Sequence, residues 1–313
     1  MWIGAKAFVS ASLLVWLGVR IVQRDGVGAL AERLAGIDAG WLFLAIALHF
    51  GAVFAGVARW RLLLRAAGLD CAPGRLLRSF LVGRFVGAFT PSTTGLDGWR
   101  LYDIGREHSA MGKSAAVIVV EKLVGLIGMA LVCAALVPFG GVELLGPGAL
   151  CAAFLMASVA ALGLFLIRRP DGLAWCAHKL PRRLRTIGGK VADALGTSRL
   201  GGPRLAQAIG LGVVSHVALS SVSVATAFAI GVDASPATLL LVGNAITLAV
   251  LLPVSIGGVG VREGVAVLLL ATAGVSPADA VLVALLGYLT GQLPALLGGG
   301  LLLTGDREVP SPA

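Results

Sequence analysis

Two stretches of the chain carry the same run of chemically useful residues. Residues 91–100 read PSTTGLDGWR and residues 253–262 read PVSIGGVGVR; both fit P-x3-G-x2-G-x-R at an offset of 162 positions. Pro91, Gly95, Gly98 and Arg100 thereby align with Pro253, Gly257, Gly260 and Arg262. Each residue type has a physical part. Proline removes a backbone donor and breaks a helix. Glycines such as Gly257, Gly258 and Gly260 permit positive φ and let the backbone approach a ligand closely. Where a helix restarts, its unpaired N–H groups and positive dipole end attract an anion, and arginine adds a planar fork suited to phosphate or carboxylate. The chemistry these stretches predict is anion binding.

Acidic residues beside each arginine leave a second reading open. Arg100 with Asp97, and Arg262 with Glu263, can equally form structural ion pairs. Glu121 and Lys122 lie a few residues into a span that is otherwise apolar. They read either as a buried pair or proton relay with the opposite arginine, or as the span's interfacial end. Arg84 and Asn244 sit in the two broken apolar regions and are candidates for headgroup contact, though helix-to-helix hydrogen bonding explains Asn244 equally well. His49 and His216 are lone histidines within spans and read as packing.

The elements that must hold these residues follow from composition. The chain has 313 residues, 58% hydrophobic and only 13% charged, with a mean hydropathy of +0.94. A soluble domain carries about 25% charge. Several runs approach the ~20 apolar residues that cross a bilayer core, and none shows the ~10-residue alternation of a membrane β-barrel. The expected fold is therefore an all-α polytopic membrane protein. Full spans are predicted near 5–22, 41–58, 115–137, 147–167, 205–231 and 280–303, and two further apolar regions, 79–91 and 238–273, are broken by Pro and Gly. The run AKAFVSASLLVWLGVRIV has no small-x-small cleavage site and reads as a retained first helix.

Charge orients the spans. Segment 59–78 carries Arg59, Arg61, Arg65, Arg75 and Arg78, and segment 168–204 carries nine basic residues against Asp171 and Asp193. Connections near 138–146 and 232–237 carry no Lys or Arg. Basic connections stay in the cytoplasm, so both termini are expected there, in the inner membrane, with the tail GDREVPSPA too short for a soluble domain. The net charge of +9 is then a topology signal, and no nucleic-acid partner is implied. The basic 168–204 loop reads as a topology signal or as a patch for anionic lipid.

The same offset carries span 41–58 onto the start of 205–231 and 115–137 onto 280–303. One integral membrane domain, 1–313, is expected, with repeat halves 41–137 and 205–303 joined through span 147–167 and the basic loop. Opposite orientation of halves with broken segments at matching positions is the pattern of an inverted-repeat transporter with two re-entrant segments.

Other chemistries find no support. Cys71, Cys133, Cys151 and Cys176 are scattered without CxxC or a His at ligand spacing, so neither metal nor disulfide is implied. GREHSAMGKS imitates a phosphate-binding loop, but Glu107 stands where glycine is required and no strand precedes it. No nucleophile elbow or HExxH occurs, and no cofactor is expected.

LVGRFVGAFTPSTTGLDGWR, VVEKLVGL and LLPVSIGGVGVREG together resemble the flippase-like transmembrane region of the lysylphosphatidylglycerol synthase family, over roughly residues 10–303. The resemblance implies lipid translocation, with Arg100, Glu121, Lys122, Arg262 and Glu263 as motif positions. Two positions depart from the family: Leu96 replaces a second glycine beside an acidic residue, and Lys122 stands where arginine is common. The aminoacyl-transfer domain of bifunctional members is missing, so the chain is not expected to synthesise aminoacylated lipid. The expected function is flipping of an anionic lipid, such as a phospholipid, glycolipid or polyprenyl-linked lipid. Alternatives are a membrane subunit of a lipid-modifying transferase on another chain, and a scaffold whose arginines are structural.

Overall fold

A computed structural model describes residues 32–90, 94–169, 200–251 and 257–304, together with Ser255 and a few single positions elsewhere. Pro91 and Pro253, the expected span 5–22, most of the basic 168–204 connection and the tail after residue 304 lie outside the described residues.

Among the described residues the chain is all-helical. The main elements are α1 (Ala39–Ala66), α2 (Pro73–Ala88), α3 (Thr94–Glu107), α4 (Met111–Leu136), α5 (Ala149–Arg168), α6 (Gly202–Ala229), α7 (Pro236–Leu251), α8 (Val261–Leu270) and α9 (Pro277–Leu303). Four helical stretches are long and apolar enough to cross a membrane: α1, the 58-residue stretch 111–168, α6 and α9. The 58-residue stretch folds back on itself, because α4 and α5 are joined by a π turn at Val137–Gly141 and by Gly146 at φ +53°. α5 packs along α4, with Gly163 so close to Ile127 that an added Cβ would lie 2.8 Å from its side chain.

Local sequence explains the helix ends. Asp38 caps α1 by accepting the Gly40 N–H at 2.7 Å, and 28 residues at ~1.5 Å each exceed the bilayer core. α1 stops at Gly68, φ +77°, where the Leu69 N–H returns to the Leu64 carbonyl at 2.9 Å, the glycine-terminated closure common at helix ends. Sequence placed residues 59–66 in a basic connection; they instead continue α1. Burial makes the difference: Trp60 and Leu64 are completely enclosed, and Arg59 is drawn inward by Glu121.

Two four-helix series follow one another with matching lengths. α1 to α4 have 28, 16, 14 and 26 residues, and α6 to α9 have 28, 16, 10 and 27. Their first members run antiparallel. The Asp38 N–H meets the Ala229 carbonyl at 2.9 Å, Trp41 stacks edge-on against Phe228, and Gly212 lies against Arg59. α2 crosses α9, where Gly298 lets the backbones touch at Leu81. In the other series α7 meets the end of α4, where Gly140 leaves room for Ala237 and Thr238. Small residues at crossings are how membrane helices gain packing when lipid tails are as apolar as leucine. One packed cluster forms around Trp60, Leu76, Ile104 and Val124, a second around Leu239, Val242, Ala266 and Leu270. The outward face of α5 shows Leu150, Phe154, Leu155, Leu162 and Phe165, an apolar surface suited to lipid.

Candidate functional site

A cavity of about 290 Å³ lies between α1, α2, α6, α7 and α9, closed on one side by the segment leading into α8. Its polar lining comes from His49, Arg84, Ser223, Thr247, Arg262, Tyr288 and Gln292. Among the described lining residues there is no Asp or Glu.

Arg262 is placed by the glycines before it. Gly257, Gly258 and Gly260 take φ of +60°, +77° and +84°, values that cost a side-chain-bearing residue about 1–2 kcal/mol. At Gly258 a Cβ would come within 2.9 Å of the Arg262 guanidinium and 2.6 Å of Val250. The bent backbone aims the Gly257 carbonyl at Arg262, whose Nη2 donates to it. The guanidinium also lies 4.4 Å over the Tyr288 ring, a cation–π contact. Its Nε has no partner. Glu263 does not face this space. It is 1% exposed, and its Oε2 accepts the Gly260 N–H at 2.6 Å, capping α8.

Arg84 enters from the middle of α2 and donates to the Gly291 carbonyl at 3.1 Å, again leaving Nε without a partner. The surrounding helices bury both arginines deeply, although the cavity keeps part of each accessible. His49 joins them, with Nε2 3.0 Å from the Gly287 carbonyl and Nδ1 unpartnered. Sequence reasoning missed His49, Tyr288 and Gln292. The available signal was the face of α9 formed by Ala284, Gly287, Tyr288, Gly291, Gln292 and Ala295 at helical spacing. Gly291 is required there, since a Cβ would lie 2.9 Å from the His49 ring.

The other arginine of the repeated motif has different surroundings. Arg100, 3% exposed, pairs with Asp97 and with Glu121, both at 3.0 Å. Its guanidinium lies 4.7 Å from the Trp60 ring and 5.0 Å from the Phe80 ring. Glu121 also takes Arg59 at 3.4 Å, and Lys122 reaches Asp97 at 2.6 Å. Five charged side chains thus form one network that lies away from the cavity lining. Glu121 and Lys122 pair with Arg59, Arg100 and Asp97, and not with Arg262. Asp97, Gly98 and Lys122 border a groove of about 510 Å³ along α3 and α4, which shares Leu251 with the cavity.

The first motif copy also differs in backbone. Gly95 and Gly98 lie within α3 and neither takes positive φ. Gly95 instead serves close packing: its N–H donates to Thr90 Oγ1 at 3.0 Å, and a Cβ would lie 3.0 Å from Gly87. Leu96, the departure noted above, fits over Gly83 and Gly87 of α2. Asn244 is 1% exposed and donates to the Leu240 carbonyl of its own helix at 3.0 Å, outside the cavity lining. Cys71, without a histidine nearby in sequence, has its Sγ 3.1 Å from His108 Nε2. Beyond the end of α1, a hydrogen bond from Arg65 holds the Asp70 carboxyl below its ordinary range.

Fold and site together define a multi-pass helical membrane protein with a cationic internal cavity. Residues 3–299 match the family described as the lysylphosphatidylglycerol synthase TM region, and the chain belongs to that family. It is thus related to membrane domains concerned with lipid modification or flipping. No curated protein matches the chain.

Proposed function

We propose that this protein translocates a lipid with an anionic headgroup between membrane leaflets, binding the headgroup in the cavity while the tails stay in the bilayer. The observation that carries this is the pair Arg84 and Arg262 in one cavity with no carboxylate among its described lining residues. Desolvating a cation costs several kcal/mol unless an opposite charge compensates, and guanidinium groups stay charged throughout the physiological range. A phosphate supplies that compensation, and about 290 Å³ holds a headgroup but not a whole lipid. The antiparallel α1–α6 pair and the matched helix lengths support reading the two series as an inverted repeat in one membrane domain, with the segments before α3 and α8 as its re-entrant breaks. Such repeats place substrates at their interface. With basic connections in the cytoplasm, the termini lie on that side of the cell membrane. Lipids are then the partners, and the chain acts as a carrier and not as an enzyme.

The test is leaflet exchange of labelled anionic and zwitterionic lipids in proteoliposomes, comparing the intact protein with Arg262→Ala at equal folded amounts. Fast exchange lost in the variant supports the proposal. Exchange no faster than in empty liposomes, with every headgroup tried, overturns it. A partner-dependent role beside a lipid-modifying transferase is the reading to take up in that event, and the family's description as a synthase region favours it next.

A further inference from the structure

The charge arrangement around Arg84 and Arg262 restricts which lipid fits. Two guanidinium groups line the cavity and repel one another across it. The carboxylate that acts on Arg262 is Glu263, which is enclosed outside the cavity lining, gives Oε2 to the Gly260 N–H and leaves Oε1 without a hydrogen-bond partner. Each arginine spends one nitrogen on a backbone carbonyl and keeps an unpartnered Nε. Two guanidinium groups on separate helices thus line one cavity, and a phosphodiester offers such cations two non-bridging oxygens that share one negative charge. The remaining polar groups are neutral. With its Nε2–H directed to the Gly287 carbonyl, a neutral His49 ring keeps Nδ1 as an enclosed acceptor without a partner. The Gln292 amide nitrogen donates to the Tyr288 carbonyl at 3.1 Å, leaving its oxygen to accept. Such acceptors suit hydroxyl groups. A headgroup ammonium would enter beside two guanidinium groups with no carboxylate among the described lining residues to meet it.

We infer that the cavity selects lipids whose headgroup is a phosphodiester bearing neutral hydroxyl groups, and rejects zwitterionic and aminoacylated headgroups. This rests on reading the cavity as a headgroup site. It sets the chain apart from what its family's description names, since a lysyl group carries the positive charge this lining disfavours.

Binding and transport are measured separately so that each statement can fail alone. The full-length protein in detergent is titrated with short-chain phosphatidylglycerol, phosphatidylcholine and lysyl-phosphatidylglycerol, and with soluble glycerol phosphate, following the melting temperature. Phosphatidylglycerol is expected to bind at least tenfold more tightly than the other two lipids, with Arg84→Gln and Arg262→Gln removing that preference. Gln292→Glu, which adds a carboxylate to the lining, is expected to shift preference towards lysyl-phosphatidylglycerol, and it keeps the test alive if the arginine variants fail to fold. Equal affinities, or tighter lysyl-phosphatidylglycerol binding, overturn the inference. Glycerol phosphate binding as tightly as phosphatidylglycerol makes a soluble phosphate ester the ligand and overturns the lipid assignment. In proteoliposomes, exchange of every headgroup alike defeats selectivity but leaves translocation standing. Selective binding without any exchange defeats translocation but leaves selectivity standing.

Discussion

Arg100 and Arg262 occupy the same place in a repeated motif and have opposite surroundings. Arg100 is held by two carboxylates and enclosed by two aromatic rings. Arg262 has one backbone carbonyl and one aromatic face, and it looks into a cavity. In the first arrangement carboxylates offset the buried charge, although Arg100 Nε has no hydrogen-bond partner, and the pairs tie α1, α3 and α4 together. In the second no carboxylate pairs with the guanidinium among the described residues, and Glu263 acts on it only from outside the cavity lining, so the site is suited to binding an anion. A buried ion that is paired stabilises the fold against loss of its partner, while one left unpaired costs stability until something binds.

The largest expected effect comes from breaking the complete site. Arg100→Ala leaves Glu121 with the longer Arg59 contact and Asp97 with Lys122, and it empties the space beside Trp60 and Phe80; the expected cost is about 3 kcal/mol of stability, seen as a large drop in melting temperature and folded yield. If melting is unchanged, the network is not structural and the contrast collapses. Arg262→Ala is expected to do the reverse. Lipid exchange falls at least tenfold, about 1.4 kcal/mol or more on the barrier to translocation, while melting without lipid moves little.

The motif glycines sharpen the same contrast at smaller scale. Gly258→Ala meets Val250 and the Arg262 guanidinium at φ +77°. It is expected to lose about 1–2 kcal/mol of stability and to lower exchange by displacing Arg262. Gly98→Ala, within α3 and with nothing near its Cβ, is expected to be neutral or stabilising by about 0.5–1 kcal/mol; thermal melts of the two variants side by side decide this. Smallest of all is Lys122→Ala. Its half-exposed bridge to Asp97 is worth about 0–1 kcal/mol, and a melting shift beyond that range would make Lys122 part of the buried core.

Much of the fold was legible because span length and helix breaks are local properties. The apolar runs 115–137 and 147–167 match α4 and α5 with ends displaced by one to four residues, and 280–303 lies within α9. Boundaries moved where a charged residue found a buried partner, as Arg59 did with Glu121 and so lengthened α1. The site was legible in part. PVSIGGVGVR announced a bent backbone ending in arginine, and three glycines there do take positive φ. PSTTGLDGWR carries the same spacing, yet its glycines sit in α3, because Gly95 packs against Thr90 and Gly87. His49 read as packing because nothing near it in sequence has chemistry. Its neighbours Gly287 and Gly291 are more than 230 positions away.

The sequence by itself determined that this is a helical membrane protein, that a Pro/Gly motif recurs at a fixed offset, and that each copy ends in arginine. Those facts depend on residue type and short spacing, which the bilayer and the backbone read directly. Only the tertiary structure decided which arginine is neutralised. Arg100 meets Glu121 from 21 residues away, whereas Arg84 meets Gly291 across 207 positions and shares a cavity with Arg262. Charge compensation is a property of the space between helices, and packing alone brings the partners into that space or leaves them out.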